Sequence, residues 1–383
     1  MPESEEGGVP QESTRVPPSR PERPGERIPQ IDYLKAFAII AVIILHTYPV
    51  PVLLAVGSPY HLWHAVPLFI LISGFTLAYG YRKRDARSLS ECYDPDLVSR
   101  RFLRLLVPYA MFWVFEIAVL SLLTPVPLDP GSLLLNFLYG GTGWGSYFVP
   151  VILQGIFIIP LLYFISLRRP GLMVAGALVV TILFEIWAVS TGNDTLSSVI
   201  YLRYLFAGAL GVWLVLPVKR PFPLILLGGI ASLTYITLAC YTSLFPPTST
   251  FYQYEGINQF PAFAWTLILA MAGLAYLPGY ARSGIRRMLS GIGKASWHIF
   301  LVQMLYFLFP AGYAYDLLSS VLIFVSRNIL GLPLPWLAAV LPPALGLFKA
   351  GLNILICAGP GYAWYSAEKK AAGLISGKSS LSG

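Results

Sequence analysis

A lysine and a histidine lie eleven positions apart in the first apolar segment, IDYLKAFAIIAVIILH. A helix turns about 100° and rises about 1.5 Å per residue, so Lys35 and His46 share one face, about 16 Å apart along the axis. Ionisable groups at bilayer depth are costly and usually face a cavity or a partner. The spacing therefore predicts a helix face that points into a bundle rather than towards lipid.

Two arginines and a glutamate mark the third apolar segment. Arg101 and Arg104, in RRFLRLLVPY, are three positions apart and lie on one side of a helix. Two guanidinium groups there suit a phosphate-rich ligand, although helix anchoring or lipid headgroup contacts produce the same pattern. Glu116 follows about 12 residues, or about 18 Å, into that helix, at a depth similar to that of His46.

Further polar residues interrupt other apolar segments. Ser73–Gly74 breaks the bulky run VPLFILISGFTLAYGY and predicts close approach of a helix or of a ligand. Glu185 and Arg203 are expected either to form a structural ion pair or to line a substrate entrance. Gln154 and Gln303 lie near mid-membrane, where hydrogen bonds between helices are the simplest expectation and a place in the substrate lining is the alternative.

Two aromatic and histidine patterns have simpler interpretations. His61 and His64 lie three positions apart, but no third ligand accompanies them, so the sequence predicts no metal site. Trp144, in the glycine-rich run GGTGWG, is expected in an outer loop as part of an aromatic belt rather than a sugar-stacking surface.

The basic residues are grouped along the chain. Twenty-three of the 26 Lys and Arg residues fall into six clusters, separated by apolar stretches that are each long enough for two membrane crossings. Because basic residues are retained on the cytoplasmic side, the pattern predicts an all-α, polytopic membrane protein with about ten transmembrane helices and both termini cytoplasmic. The predicted helices are about 31–50, 61–81, 102–123, 146–167, 171–190, 197–216, 222–244, 260–278, 295–312 and 344–365.

Composition supports a membrane protein. The chain is 56% hydrophobic and 11% charged, whereas soluble domains are about 25% charged. The net charge of +8 follows from helix orientation, so a nucleic-acid partner is not expected. The polar segment 1–29 is predicted to be a disordered cytosolic tail, followed by a membrane domain over 30–370 and a cytosolic tail over 371–383.

Five motifs in order resemble the acyltransferase 3 family of membrane acyltransferases. They are the Lys35-to-His46 spacing, the V-P-x-F-x-x-S-G-F run that contains Ser73, R-x-x-R at Arg101, SYFVPVILQGIFIIPLL with its Gln154, and IGKASWHIFLVQMLYF. The resemblance covers about residues 27–370. The chain departs from the family at Lys35, where Arg is commoner, and at Gln303, where His is frequent.

This resemblance implies transfer of an acyl group, often acetyl, from cytosolic acyl-CoA to a hydroxyl of a glycan or lipid-linked sugar. It implies that Lys35, Ser73, Arg101 and Arg104 hold the donor and that His46 is the general base. Glu116 is the expected orienting carboxylate for His46. The implied location is the plasma membrane, with acyl-CoA as the donor substrate and no metal.

Two other classes of function remain open from the sequence. A transporter of small solutes or acyl groups would also use a helical bundle with buried charges, and a membrane scaffold would need the bundle alone. The grouping of Lys35, His46 and the R-x-x-R pair favours coenzyme A chemistry, because a scaffold has no evident use for it.

Overall fold

A computed structural model describes residues 28–123, 129–192, 194–244, 259–279, 283–309 and 334–375. The predicted N-terminal tail lies almost wholly outside these residues. Over the described ranges the chain is helical and contains no strand. The α-helices are α1 Pro29–Thr47, α2 Val50–Ala55, α3 Ala65–Lys83, α4 Leu89–Cys92, α5 Pro95–Leu123, α6 Pro130–Leu138, α7 Phe148–Arg168, α8 Pro170–Thr191, α9 Asp194–Val199, α10 Leu205–Val215, α11 Phe222–Tyr241, α12 Phe263–Tyr276, α13 Gly284–Lys294, α14 Ser296–Leu308 and α15 Leu334–Ile375.

Local sequence signals set many of the helix boundaries. Prolines in the first turn begin α1, α6, α8 and α11, where the missing amide hydrogen has no helical acceptor in any case. Ser88 and Glu91 form a reciprocal capping box at α4, and the Asp129 carboxylate accepts from the Ser132 amide at 2.7 Å to cap α6.

Small residues let the central helices approach closely. A Cβ added at Gly74 of α3 would collide with the backbone carbonyl of Gly208 in α10. A Cβ at Gly211 of α10 would collide in turn with the Leu71 carbonyl of α3. Such contacts are typical of helices that associate within a bilayer, where van der Waals packing replaces the hydrophobic effect. The predicted close approach at Gly74 is therefore to another helix.

Six helices among the described residues are long and apolar enough to cross a membrane. They are Pro29–Thr47, Ser58–Lys83, Leu89–Leu123, Phe148–Arg168, Pro170–Thr191 and Phe222–Tyr241, with shorter apolar helices at Tyr201–Val215, Phe260–Tyr276 and Ser296–Leu308. All ten predicted segments overlap a helix. The number of ten crossings and the cytoplasmic termini stay predictions.

Several boundaries differ from the sequence-based expectation. The third segment begins at Pro95 rather than near 102, and the sixth divides into α9, a 3-10 turn at Tyr201–Tyr204 and α10. The last helix extends to Ile375, five residues into the predicted tail. Four further helices, α2, α4, α6 and α13, occupy segments between the predicted helices.

Candidate functional site

One cavity brings together residues that are distant in sequence. It has a volume of about 570 Å³ and is bounded by α1, α3, α5, α7, α13, α14 and α15. Its described lining contains five basic side chains and one carboxylate, Glu368. The basic side chains are Lys35, Arg101, Arg104, Lys294 and Lys369. Because they come from four of the six basic clusters, the fold converts a scattered charge pattern into one strongly cationic site.

The two arginines of the R-x-x-R motif have different surroundings. The guanidinium of Arg101 lies 4.7 Å from the centre of the Tyr81 ring, and its Nη1 is buried without an acceptor among the described residues. Arg104 is exposed and makes no hydrogen bond or ion pair with the described part of the chain. Arg101 is therefore fixed in the wall, whereas Arg104 is available to a ligand.

A histidine–carboxylate pair in the cavity wall is absent from the sequence-based prediction. The Nε2 atom of His298, on α14, lies 2.5 Å from Oε2 of Glu368, on α15. The rings of Trp364 and Tyr365 pack against the buried imidazole, with centroids 5.1 and 5.6 Å away. The pair joins the end of α15 to α14. The signal in the sequence is a histidine within the apolar run of α14, opposite a glutamate at the end of the closing helix.

The two helix faces that begin at the cavity lead to His46. On α1, Lys35 lines the cavity and His46 lies three turns further along the same face. On α14, Phe300 lines the cavity, and Phe307 lies seven residues later, hence on the same face. The Phe307 ring is 5.4 Å from the His46 ring. His46 does not line the cavity itself and is connected to its lining through α1 and through Phe307 of α14.

Two aromatic rings, rather than hydrogen bonds, position His46. Its imidazole contacts Trp144 edge-on, with centroids 5.5 Å apart, as well as Phe307. Its nitrogens make no hydrogen bond with the described residues. A half-buried imidazole of this kind keeps a lone pair and an N–H group available for a substrate.

Glu116 does not contact His46, which corrects the expected carboxylate–imidazole contact. Its buried Oε1 accepts from the Thr142 amide at 3.1 Å, so the carboxylate holds the loop 140–145 instead. Gln303 lies on the other side of this loop, and its Nε2 donates to the Trp144 carbonyl at 3.4 Å. Both residues bind backbone groups of the loop that carries Trp144, whose ring contacts His46. The depth of Glu116 along its helix could not show whether its carboxylate lies beside His46 or beside the loop 140–145.

The remaining predicted residues lie away from the cavity. Glu185 and Arg203 are buried and paired, with Arg203 Nε 3.4 Å from Glu185 Oε1. The Gln154 side chain donates to the Val199 carbonyl at 2.7 Å and accepts from the Tyr201 amide at 3.0 Å. Gln154 therefore fixes the break between α9 and α10. The ion-pair alternative describes the geometry of Glu185 and Arg203, while a substrate entrance beside them stays a prediction.

A comparison with protein families decides the class of the chain. The sequence profile of the acyltransferase domain, acyltransferase 3, matches residues 28–348. The chain belongs to the acyltransferase 3 family. Membership, together with the apolar helices, identifies an integral membrane protein of the acyltransferase kind. No curated protein and no solved structure matched the chain significantly.

The family match covers most of the site but not all of it. Lys35, His46 and the R-x-x-R pair lie inside the matched residues, whereas the cavity wall formed by Tyr365, Glu368 and Lys369 follows the end of the match. The cationic site of this acyltransferase 3 protein is thus completed by the last turns of α15.

Proposed function

We propose that this chain transfers an acyl group, acetyl in the simplest case, from acyl-CoA to a hydroxyl of a glycan or lipid-linked sugar in the plasma membrane. The observation that carries the proposal is the cavity with five basic side chains, from which two helix faces lead to His46. Membership of the acyltransferase 3 family supports the reaction class.

The cavity suits the donor at both ends. Coenzyme A carries several negative phosphate charges, which Arg104, Lys294 and Lys369 can contact at the cationic mouth. Its thin arm carries amides that the Ser73 and Thr76 hydroxyls, on the α3 wall, can hydrogen-bond. Lys35 supplies a further charge, as a single ammonium rather than a bidentate guanidinium. The thioester then points along α1 and α14 towards His46.

The chemistry requires one base near an acceptor hydroxyl. A neutral His46 accepts the hydroxyl proton while the oxygen attacks the thioester carbonyl carbon. The new C–O bond forms, the C–S bond breaks and coenzyme A leaves as a thiolate, which takes up a proton as the base is restored. General-base catalysis of this kind contributes about 10²–10⁴-fold, and the surrounding rings of Trp144 and Phe307 limit access of water.

The experiment replaces His46 with alanine and follows donor binding and transfer separately. The purified protein is given labelled acetyl-CoA with membrane glycans as acceptor, and coenzyme A binding is measured by thermal stabilisation. His46→Ala should lose transfer by about 10²-fold or more and keep its stabilisation by coenzyme A. His61→Ala is the matched control, because His61 lies in the 3-10 region before α3 and outside the cavity lining.

Three results would contradict the proposal. If coenzyme A does not stabilise the wild-type protein, acyl-CoA is not the donor. If His46→Ala transfers the acyl group at the wild-type rate, His46 is not the general base. Movement of label across a vesicle membrane without formation of an acylated acceptor would indicate the alternative, a transporter of acyl groups or small solutes.

A further inference from the structure

An exposed tryptophan touches the histidine at the inner end of the site. The Trp144 side chain is 61% exposed, yet its ring meets the His46 imidazole edge-on. An aromatic residue that serves only as a membrane anchor needs no contact with a buried polar group. Trp187 illustrates that case, since it is 41% exposed and its described ring contact is with Phe184 of the same helix.

The loop that carries Trp144 is held in one conformation. Gly140, Gly141 and Gly145 adopt φ values of +94°, +98° and +84°, which residues with a Cβ rarely adopt. The Asn136 side-chain amide donates to the Thr142 hydroxyl at 3.0 Å. Together with the bonds from Glu116 and Gln303, these features fix the loop from several sides.

The two supporting residues are unusual choices for a loop that only faces lipid headgroups. Glu116 and Gln303 are both fully buried, and a buried carboxylate in a membrane protein is costly, so that it commonly marks a functional site. Here the carboxylate binds a backbone amide one residue from Gly143, whose position is set by contact with Met304 of α14. The arrangement therefore fixes the indole relative to His46.

The direction of approach separates the two substrates. The packed rings of Phe69, Phe148 and Phe300 form part of the lining of the cationic cavity, and His46 lies outside that lining. The proposed donor therefore approaches His46 from the side of this cavity. A second substrate needs another route to the imidazole. The exposed surface that adjoins His46 is the indole of Trp144.

We propose that Trp144 is the platform of the acceptor subsite, on which the apolar face of a sugar ring stacks while one of its hydroxyls points to His46. This inference rests on the proposed function. The C–H groups on one face of a pyranose carry partial positive charge, which the negative face of an indole attracts. Stacking also fixes the ring, so that a single hydroxyl is placed at the base.

The experiment uses the full chain in lipid nanodiscs with a panel of methyl glycosides of hexoses, pentoses and amino sugars. Glucitol serves as the comparison, because it offers hydroxyls without a ring face. Direct binding is measured by saturation-transfer NMR in the absence of donor, and transfer from acetyl-CoA is measured separately. The variants are Trp144→Ala, Trp144→Phe and the matched control Trp187→Ala.

We expect Trp144→Ala to weaken binding of the preferred glycoside, and to raise its KM, by about tenfold or more, as loss of an aromatic stacking partner does elsewhere. Trp144→Phe should lie between it and the wild type, and Trp187→Ala should be unchanged. Glucitol should bind weakly to every variant. Thermal stabilisation by coenzyme A should persist in Trp144→Ala, because Trp144 does not line the cationic cavity.

Other outcomes overturn the inference. Equal binding of the glycosides by the wild type and Trp144→Ala, or binding of none of them, would make Trp144 part of an aromatic belt. Loss of transfer with unchanged glycoside binding and unchanged stabilisation by coenzyme A would make it a positioning residue for His46 only. If glycoside binding depends on Trp144 but the wild type transfers no acyl group, the platform stands and the proposed function fails.

Discussion

Arg104→Ala tests the cationic cavity with little risk to folding. Arg104 lines the cavity and is exposed, and it has no hydrogen bond or ion pair with the described residues. Arg101 is a poorer choice, because its removal also removes the contact with the Tyr81 ring. The substitution lowers the formal charge of the lining from +4, five cations less one carboxylate, to +3.

The size of the effect follows from the kind of contact that is lost. A hydrogen bond to a charged group contributes about 1.5–3 kcal/mol, and the exposure of Arg104 places it at the lower end. About 1.5 kcal/mol corresponds to a roughly tenfold rise in the Kd for coenzyme A. Pantetheine, which carries no phosphate, should bind the wild type and the variant equally.

Calorimetry over a range of salt concentrations checks the electrostatic origin. Between about 0.01 M and about 1 M salt the Debye length falls from about 30 Å to about 3 Å. Coenzyme A affinity should fall with salt in the wild type and fall less steeply in Arg104→Ala. Arg100→Ala is the control, since Arg100 pairs with Asp96 of its own helix at 3.9 Å and does not line the cavity. Equal losses in the two variants would refute the reasoning.

Two further predictions concern topology and stability. The three native cysteines are buried, so single cysteines introduced at exposed positions report topology against a low background. An impermeant maleimide should label Ser243→Cys in intact cells, and it should label Ser90→Cys only after permeabilisation. The reverse labelling pattern would overturn the predicted orientation. Glu185→Leu should destabilise the protein by up to about 3–5 kcal/mol, because the buried charge of Arg203 loses its Glu185 partner. The double variant with Arg203→Met should recover much of this loss in thermal unfolding, and an equally unstable double variant would show that the ion pair itself stabilises the bundle.

Much of the helical organisation follows from hydrophobicity and charge alone, because a bilayer requires long apolar helices and retains basic residues on one side. That Lys35, Arg101 and Arg104 line one cavity could also be predicted, since all three lie near the basic ends of their helices. The break between α9 and the following 3-10 turn, at Ile200, could not be predicted from the sequence. It depends on Gln154, on a different helix, binding backbone groups on both sides of the break.

Amphipathic α13 and short α6 escaped prediction for a related reason. The sequence of α13, GIRRMLSGIGK, is too polar to resemble a membrane span. Its position is fixed by tertiary contacts, since Ser290 donates to the Asp32 carboxylate at 3.2 Å and a Cβ at Gly293 would collide with the Asp32 carbonyl. Through these contacts Lys294 reaches the cavity beside Lys35.

The buried polar residues fall into two groups: those that line the proposed donor cavity, and those that bind the backbone of a nearby loop. Lys35 and Arg101 line the cavity proposed for the donor, a position that follows from residue type and depth. Glu116 and Gln303 act through the backbone of a glycine-rich loop, and a sequence gives no indication of which backbone a carboxylate will bind. The same charged group at the same depth is therefore consistent with catalysis or with positioning. In this chain the contact of the Glu116 carboxylate with the Thr142 amide, rather than depth, favours positioning, and this supports the proposals that the acceptor stacks on Trp144 and that His46 is the base.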